Sequence, residues 1–164
     1  LKIVIIANVI SLIGSLMMVG TGLIKRKRNV LIVQSAQFVV MGVSNLMLGG
    51  ITGCITNALS LIRNFVTMRS RLTMLVKLVF IAIWVGMCLI VNRQGLLGWL
   101  PVISACVYTW FLDTDSDVFL KIIIILTTIE WVFYDFILMN YSAFAFDILT
   151  LIANGVGIVR IKRQ

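Results

Sequence analysis

Histidine is missing from this sequence, proline occurs once, and only 6 of 164 residues are acidic. Without imidazole, a zinc-type site lacks its usual ligand and the usual switch near neutral pH is gone. The three cysteines, Cys54, Cys88 and Cys106, are odd in number and all fall inside apolar runs. They read as small buried hydrophobes, and no disulfide framework is expected. Charge is also scarce, at 12% of residues against about 25% in an ordinary soluble domain. What fills the space is apolar: 61% of residues are hydrophobic and the mean hydropathy is +1.12. A soluble enzyme, a secreted disulfide domain and a disordered tail are all ruled out. A helix needs roughly 20 apolar residues to cross a bilayer, so a chain of this length holds at most about eight spans.

Seven apolar runs can be read along the chain, over residues 1–24, 30–48, 51–68, 72–91, 95–112, 118–139 and 141–159. Their continuity favours helices over the short alternating strands of a barrel. The first run reads as a span and not as a removable signal, because its apolar stretch is long and its basic cluster, Lys25 to Arg28, follows it. Alternating the spans places Lys25, Arg26, Lys27, Arg28, Arg69, Arg71, Lys121, Arg160, Lys162 and Arg163 on one face, and Lys2 and Arg93 on the other. The positive-inside rule then predicts an outer N-terminus and a cytoplasmic C-terminus. The net charge of +8 is thereby assigned to the membrane, not to nucleic acid.

Beneath the spans lies a repeat. At an offset of 90 residues Asn45 falls on Asp135, Asn57 on Asp147, Ser60 on Thr150 and Asn64 on Asn154. Apolar matches come cheaply in such a chain; these polar coincidences are the informative ones. The expected architecture is an all-α integral membrane protein of seven transmembrane helices, built as two parallel three-helix repeats joined by a linker helix. The first bundle covers residues 1–71, the linker span 72–94 and the second bundle 95–164. One extra crossing keeps both bundles the same way up and leaves a seam between them.

Polar groups inside hydrocarbon face the bundle interior or a wet cavity. Span three carries Asn57, Ser60 and Asn64 on one stripe, and span seven carries Asp147, Thr150 and Asn154 on the matching stripe. Span two adds Gln34, Gln37 and Asn45; span one adds Asn8, Ser11 and Ser15. For the hydroxyls, plain interhelical bonding is the favoured reading. Asn64, Asn154, Asn57 and Asp147 are the candidates to contact a solute, with Trp131 to stack on it. Glu130 stands near mid-span, and Arg63 is its natural partner in a gate or charge pair. The alternatives for Arg63 are contact with an anionic substrate and, after it, snorkelling toward the interface. The acidic run Asp113 to Asp117 resembles a calcium loop but lacks its glycine and its closing glutamate, since Val118 and Ile124 stand there. No metal site, cofactor or catalytic motif is found, so an enzyme is not expected.

The segments Ser60 to Arg71, Leu100-Pro101-Val102-Ile103-Ser104 through Thr109-Trp110, and Trp131 to Phe136 resemble the YgjV-type bacterial inner-membrane family. That resemblance implies residence in the cytoplasmic membrane. The three-one-three order of spans also looks like that of SWEET sugar facilitators and PnuC vitamin transporters. In those families an Asn on each of the third and seventh helices faces the substrate, which would assign that role to Asn64 and Asn154. The resemblance does not extend to the prolines of SWEET helices, of which Pro101 alone has a counterpart. The expected function is transport of a small polar solute, as facilitator or proton-coupled carrier. A non-transporting sensor or assembly partner, or a narrow channel, is the alternative. The expected partners are the bilayer and the solute, with association between copies left open.

Overall fold

The computed structural model describes residues 1–163. Every expected span is a helix: α1 (Lys2–Leu23), α2 (Lys27–Met47), α3 (Ile51–Arg69), α4 (Met74–Val91), α5 (Leu100–Phe111), α6 (Asp117–Ile137) and α7 (Tyr141–Lys162). A 3-10 turn, Leu97–Trp99, leads into α5. Pro101 sits in the first turn of α5, where its missing N–H has no intrahelical partner to lose. No proline therefore interrupts a helix. The start of α2 differs from expectation, because the helix begins inside the basic cluster, with Arg26 as its N-cap. At the other end of the chain, α7 extends to Lys162.

The side chains are sorted the opposite way from those of a water-soluble bundle. α1 buries Ala7, Ser11, Gly14, Ser15, Thr21 and Gly22, while Ile3, Ile5, Val9, Ile13 and Leu16 point outward. Every buried residue of α3 is glycine or polar, on the stripe Thr52, Gly53, Thr56, Asn57, Ser60, Arg63 and Asn64. Lipid offers helices no hydrophobic reason to associate, so close packing of small residues and interhelical hydrogen bonds must hold them together. By length and composition α1, α2, α4 and α7 qualify as membrane spans. The other long helices, α3 and α6, fall short because the groups they turn inward are polar or charged.

Six helices form a ring. Around it α1 packs on α2, α2 on α3, α3 on α5, α5 on α6, α6 on α7, and α7 back on α1. Exchanging α1 with α5, α2 with α6 and α3 with α7 leaves this order unchanged. α4 stands outside, against α3 and α5, burying Phe80, Trp84 and Cys88 on one stripe. The halves also agree bond by bond at their turns. α2 and α6 begin and end 90 residues apart, at 27 and 117 and at 47 and 137. The amide of Gly50 donates to Asn45 O at 2.7 Å, and that of Asn140 to Asp135 O at 2.9 Å. Left-handed backbone falls at Gly49 (φ 81°) in one turn and at Met139 (φ 60°) in the other, again 90 apart.

The two junctions of the ring differ in extent. α1 and α7 make the broadest contact, whereas α3 and α5 touch along a shorter line, since α5 has only 12 residues. The α1–α7 crossing is close enough that side chains are excluded. A Cβ on Gly22 would lie 2.7 Å from Ala153 Cβ, and one on Gly157 would run into Gly22 O and lie 2.9 Å from Lys121 Cε. Lys121, expected at a loop face, is buried here instead. Its ammonium donates to Gly22 O at 2.7 Å, Ile24 O at 3.0 Å and Thr21 O at 3.4 Å, capping the free carbonyls of α1.

Gly157→Leu is expected to lower the thermal midpoint of the detergent-solubilised protein, by an overpacking cost of about 1–3 kcal/mol. Gly155→Leu, one turn-face away with open space around it, is expected to leave the midpoint unchanged. Equal midpoints for the two variants would refute the close crossing.

Candidate functional site

The polar stripes meet in the seam enclosed by the ring. Two cavities of about 50 Å³ each lie there, sharing Met18, Phe38, Thr128 and Trp131 as a common wall. At roughly 10–15 Å³ for one water, each holds only a few water molecules. The first is completed by Gln34, Thr56, Ser60, Arg63, Ser104, Ala105, Tyr108 and Thr127. The second is completed by Gln37, Met41, Asn57, Asp135 and Asp147. All six ring helices contribute and α4 does not. Arg63 lies six residues beyond Asn57 on α3, so the two cavities are offset by about 9 Å along the axis.

Arg63 dominates the first cavity. It is 1% exposed, yet no carboxylate pairs with it among the described residues. Its Nε and Nη2 donate to Asn64 Oδ1 at 3.3 and 2.9 Å, and Nη1 donates to Thr109 Oγ1 at 3.2 Å. The guanidinium carbon stands 4.6 Å from the Tyr108 ring centroid, 5.7 Å from Trp84 and 5.9 Å from Phe38. Such faces attract a cation more strongly when water is excluded. Tyr108 is itself fixed by donating to Gln34 Oε1 at 2.9 Å. Thus α2, α4 and α5 supply the rings, while α3 and α5 supply the acceptors.

The expected charge pair between Arg63 and Glu130 is not formed. Arg63 turns toward α2, α4 and α5, whereas Glu130 lines neither cavity and its Oε2 has no partner. α6 is rotated so that Thr127, Thr128 and Trp131 face the seam, which carries Glu130 to the side.

The second cavity is acidic. Asp135 accepts from Asn140 Nδ2 at 3.0 Å, and it shares the lining of this cavity with Asp147. Side by side, two such groups repel unless a proton or a cation bridges them. Asp147 Oδ2, Gln37 Oε1 and Asn57 Nδ2 are buried without a partner. Each unmet buried polar group costs about 1–3 kcal/mol, a cost that water or a polar solute in the cavity removes.

Of the residues singled out in the sequence, Trp131, Asn57, Asp147 and Arg63 line the seam. Asn64 and Asn154 do not, although both are fully buried. Asn64 is taken up by Arg63 and by donation to Leu31 O at 3.4 Å. Asn154 donates to Thr150 O at 2.9 Å beneath the Gly22 crossing. Sequence reasoning missed Phe38, Tyr108, Ser104 and Thr128. Ser104, Ala105, Tyr108 and Thr109 do keep helical spacing on the buried face of α5, a signal that short span offered.

The absent charge pair is checkable by stability. Asn64→Leu strips the main acceptor from a buried guanidinium and is expected to cost about 2–4 kcal/mol. Glu130→Gln is expected to stay within about 0.5 kcal/mol of the parent. Thermal unfolding of both variants decides it; a large loss on Glu130→Gln would restore the pair.

A family model described as bacterial inner membrane protein, Imp-YgjV, matches residues 5–164. No curated protein matches the chain, and no solved structure does. With the matched region taking in all seven helices apart from the first residues of α1, the chain belongs to the Imp-YgjV family of bacterial inner membrane proteins.

Proposed function

We propose that this protein carries a small polar solute across the bacterial inner membrane through the seam between its two three-helix halves. The observation behind this reading is a buried polar seam, lined by all six ring helices, with unmet hydrogen-bonding groups inside it. Both ends of the seam are closed by contacts between different helices. At the end holding the α2–α3 and α6–α7 turns, the Tyr134 hydroxyl lies over α3, where a Cβ on Gly50 or Gly53 would meet it at 2.5 or 2.7 Å. At the end holding the basic loops, Val30, Leu31, Tyr108, Leu112, Ile123 and Ile124 form an apolar plug. Opening one closure while keeping the other gives the two access states of a carrier. Because proline kinks are absent from the helices, the halves would tilt as units about the α1–α7 and α3–α5 junctions.

A narrow channel is the second reading, favoured by the small volume of the cavities. Conductance across a planar bilayer separates the two, since a carrier gives saturable flux with no unitary currents.

The orientation we propose places the basic loops in the cytoplasm. In cells carrying a variant with its native cysteines replaced, a membrane-impermeant maleimide is expected to label Gln94→Cys and to spare Arg71→Cys. The reverse pattern would invert the topology. For transport, a thermal-shift screen over sugars, nucleosides, vitamins and amino acids supplies a solute, because binding to the folded state alone raises its stability. Trp131→Ala is expected to cut uptake of that solute into proteoliposomes at least tenfold, a loss of roughly one contact's worth of binding. Undiminished uptake with that variant would remove the seam as the route.

A further inference from the structure

The two cavities differ in what they leave unsatisfied. A guanidinium has five N–H donors, and Arg63 uses three of them, two on Asn64 and one on Thr109. The two left over belong to a fully buried cation on the wall of the first cavity. No carboxylate pairs with it among the described residues. In the second cavity the surplus runs mainly the other way. Asp147 Oδ2 and Gln37 Oε1 are acceptors with no donor, and Asp135 and Asp147 both line the same small cavity. One end of the seam therefore wants an acceptor with negative charge, and the other wants donors with positive charge.

One elongated molecule can answer both demands, its charged ends standing several ångströms apart. Met18, Phe38, Thr128 and Trp131 border both cavities, so a solute passing that wall enters both at once. The wall is apolar and aromatic apart from Thr128, whose hydroxyl is occupied by Ile124 O at 2.7 Å. It suits a short carbon skeleton and offers nothing to a chain of hydroxyls. An anion alone would leave the acidic pair to a shared proton and Gln37 Oε1 unmet; a cation alone would leave Arg63 uncompensated.

We infer that the seam is built for a small amino-acid-type zwitterion, its carboxylate on the free N–H groups of Arg63 and its ammonium between Asp135, Asp147 and Gln37. This names the solute class of the carrier proposed above and rests on the seam being its binding site. Planar, two-pronged donation by Arg63 matches a carboxylate. Three ammonium N–H groups match the acceptors waiting at the other end. Asn57 lines the same cavity and adds an unpartnered donor, its Nδ2.

The test uses the full chain, purified in detergent and also reconstituted in liposomes. The probes are 4-aminobutyrate and 6-aminohexanoate, the one-charge analogues butyrate, hexanoate and butylamine, and neutral glycerol. A zwitterion is expected to raise the thermal midpoint where its one-charge analogues do not. Asp147→Asn and Arg63→Gln are each expected to weaken zwitterion binding at least tenfold, the loss of one charge-assisted contact. Arg63→Lys, which keeps the charge, is expected to bind more tightly than Arg63→Gln. Should Arg63→Gln fail to fold, Asp147→Asn still decides the cationic end and Arg63→Lys the anionic end. Midpoint shifts by butyrate or glycerol equal to those by the zwitterions would overturn the inference. Uptake of a neutral or anionic solute without zwitterion binding would overturn it and leave transport standing. Zwitterion binding without uptake would uphold the site and overturn transport.

Discussion

Hydrocarbon can neither accept nor donate a hydrogen bond, and that constraint decides which residues this protein turns inward. Large aliphatic side chains gain little by leaving lipid, so most stay outside and the buried ones gather mainly in the cluster of Val30, Leu31, Leu112, Ile123 and Ile124. Small and polar residues are what bring helices together. α3 carries the rule furthest, with a buried stripe containing no aliphatic side chain. From this one sorting come the close α1–α7 crossing, the buried Lys121 that ends α1, and the seam itself. A ring of helices with polar inner edges must either bond those edges to each other or leave them facing a cavity. Asn64 does the former, through Leu31 O; Asn57, Asp147 and the remaining N–H groups of Arg63 do the latter.

The burial of Arg63 shows the same logic with charge involved. A cation removed from water costs several kcal/mol unless other groups replace its hydration. Here the replacement comes from two side-chain oxygens and three aromatic faces. This shell leaves the charge uncancelled, unlike a carboxylate partner. The helix outside the ring has a part in it, because Trp84 of α4 supplies one of the faces. A span that reads as a mere connector thus helps hold the most polar residue of the interior.

Much of the architecture was legible in the sequence because apolar runs of span length have few other uses. The seven helices fall within a few residues of the runs, and the offset of 90 reappears in matched turn hydrogen bonds. The site was legible only in part. Helical spacing put Asn57 and Asn64 on one face correctly, but spacing cannot tell at which level neighbouring helices close. At Asn64 the carbonyl of Leu31 fills the gap; at Asn57 nothing does. The pairing of Arg63 with Glu130 failed for a related reason. Opposite charges at similar depth attract, yet the rotation of α6 about its axis is set by Thr127, Thr128, Trp131 and Tyr134 together, and no single helix records it. Lys121 was misplaced because a lysine four residues into a helix looks the same whether it reaches water or a neighbour's carbonyls.

The duplicated corners have drifted apart in one respect. At the α6–α7 corner Asn8 reaches across from α1, donating to Met139 O at 3.1 Å and accepting from the amide of Ser142 at 3.0 Å. The residue 90 positions after Asn8 is Gly98, which has no side chain with which to reach the α2–α3 corner. The α2–α3 corner is tied from elsewhere, Thr52 Oγ1 donating to Gln94 Oε1 at 3.3 Å. Matching corners of the two halves are therefore tethered to different elements, one to a membrane-crossing helix and the other to the connection that precedes α5.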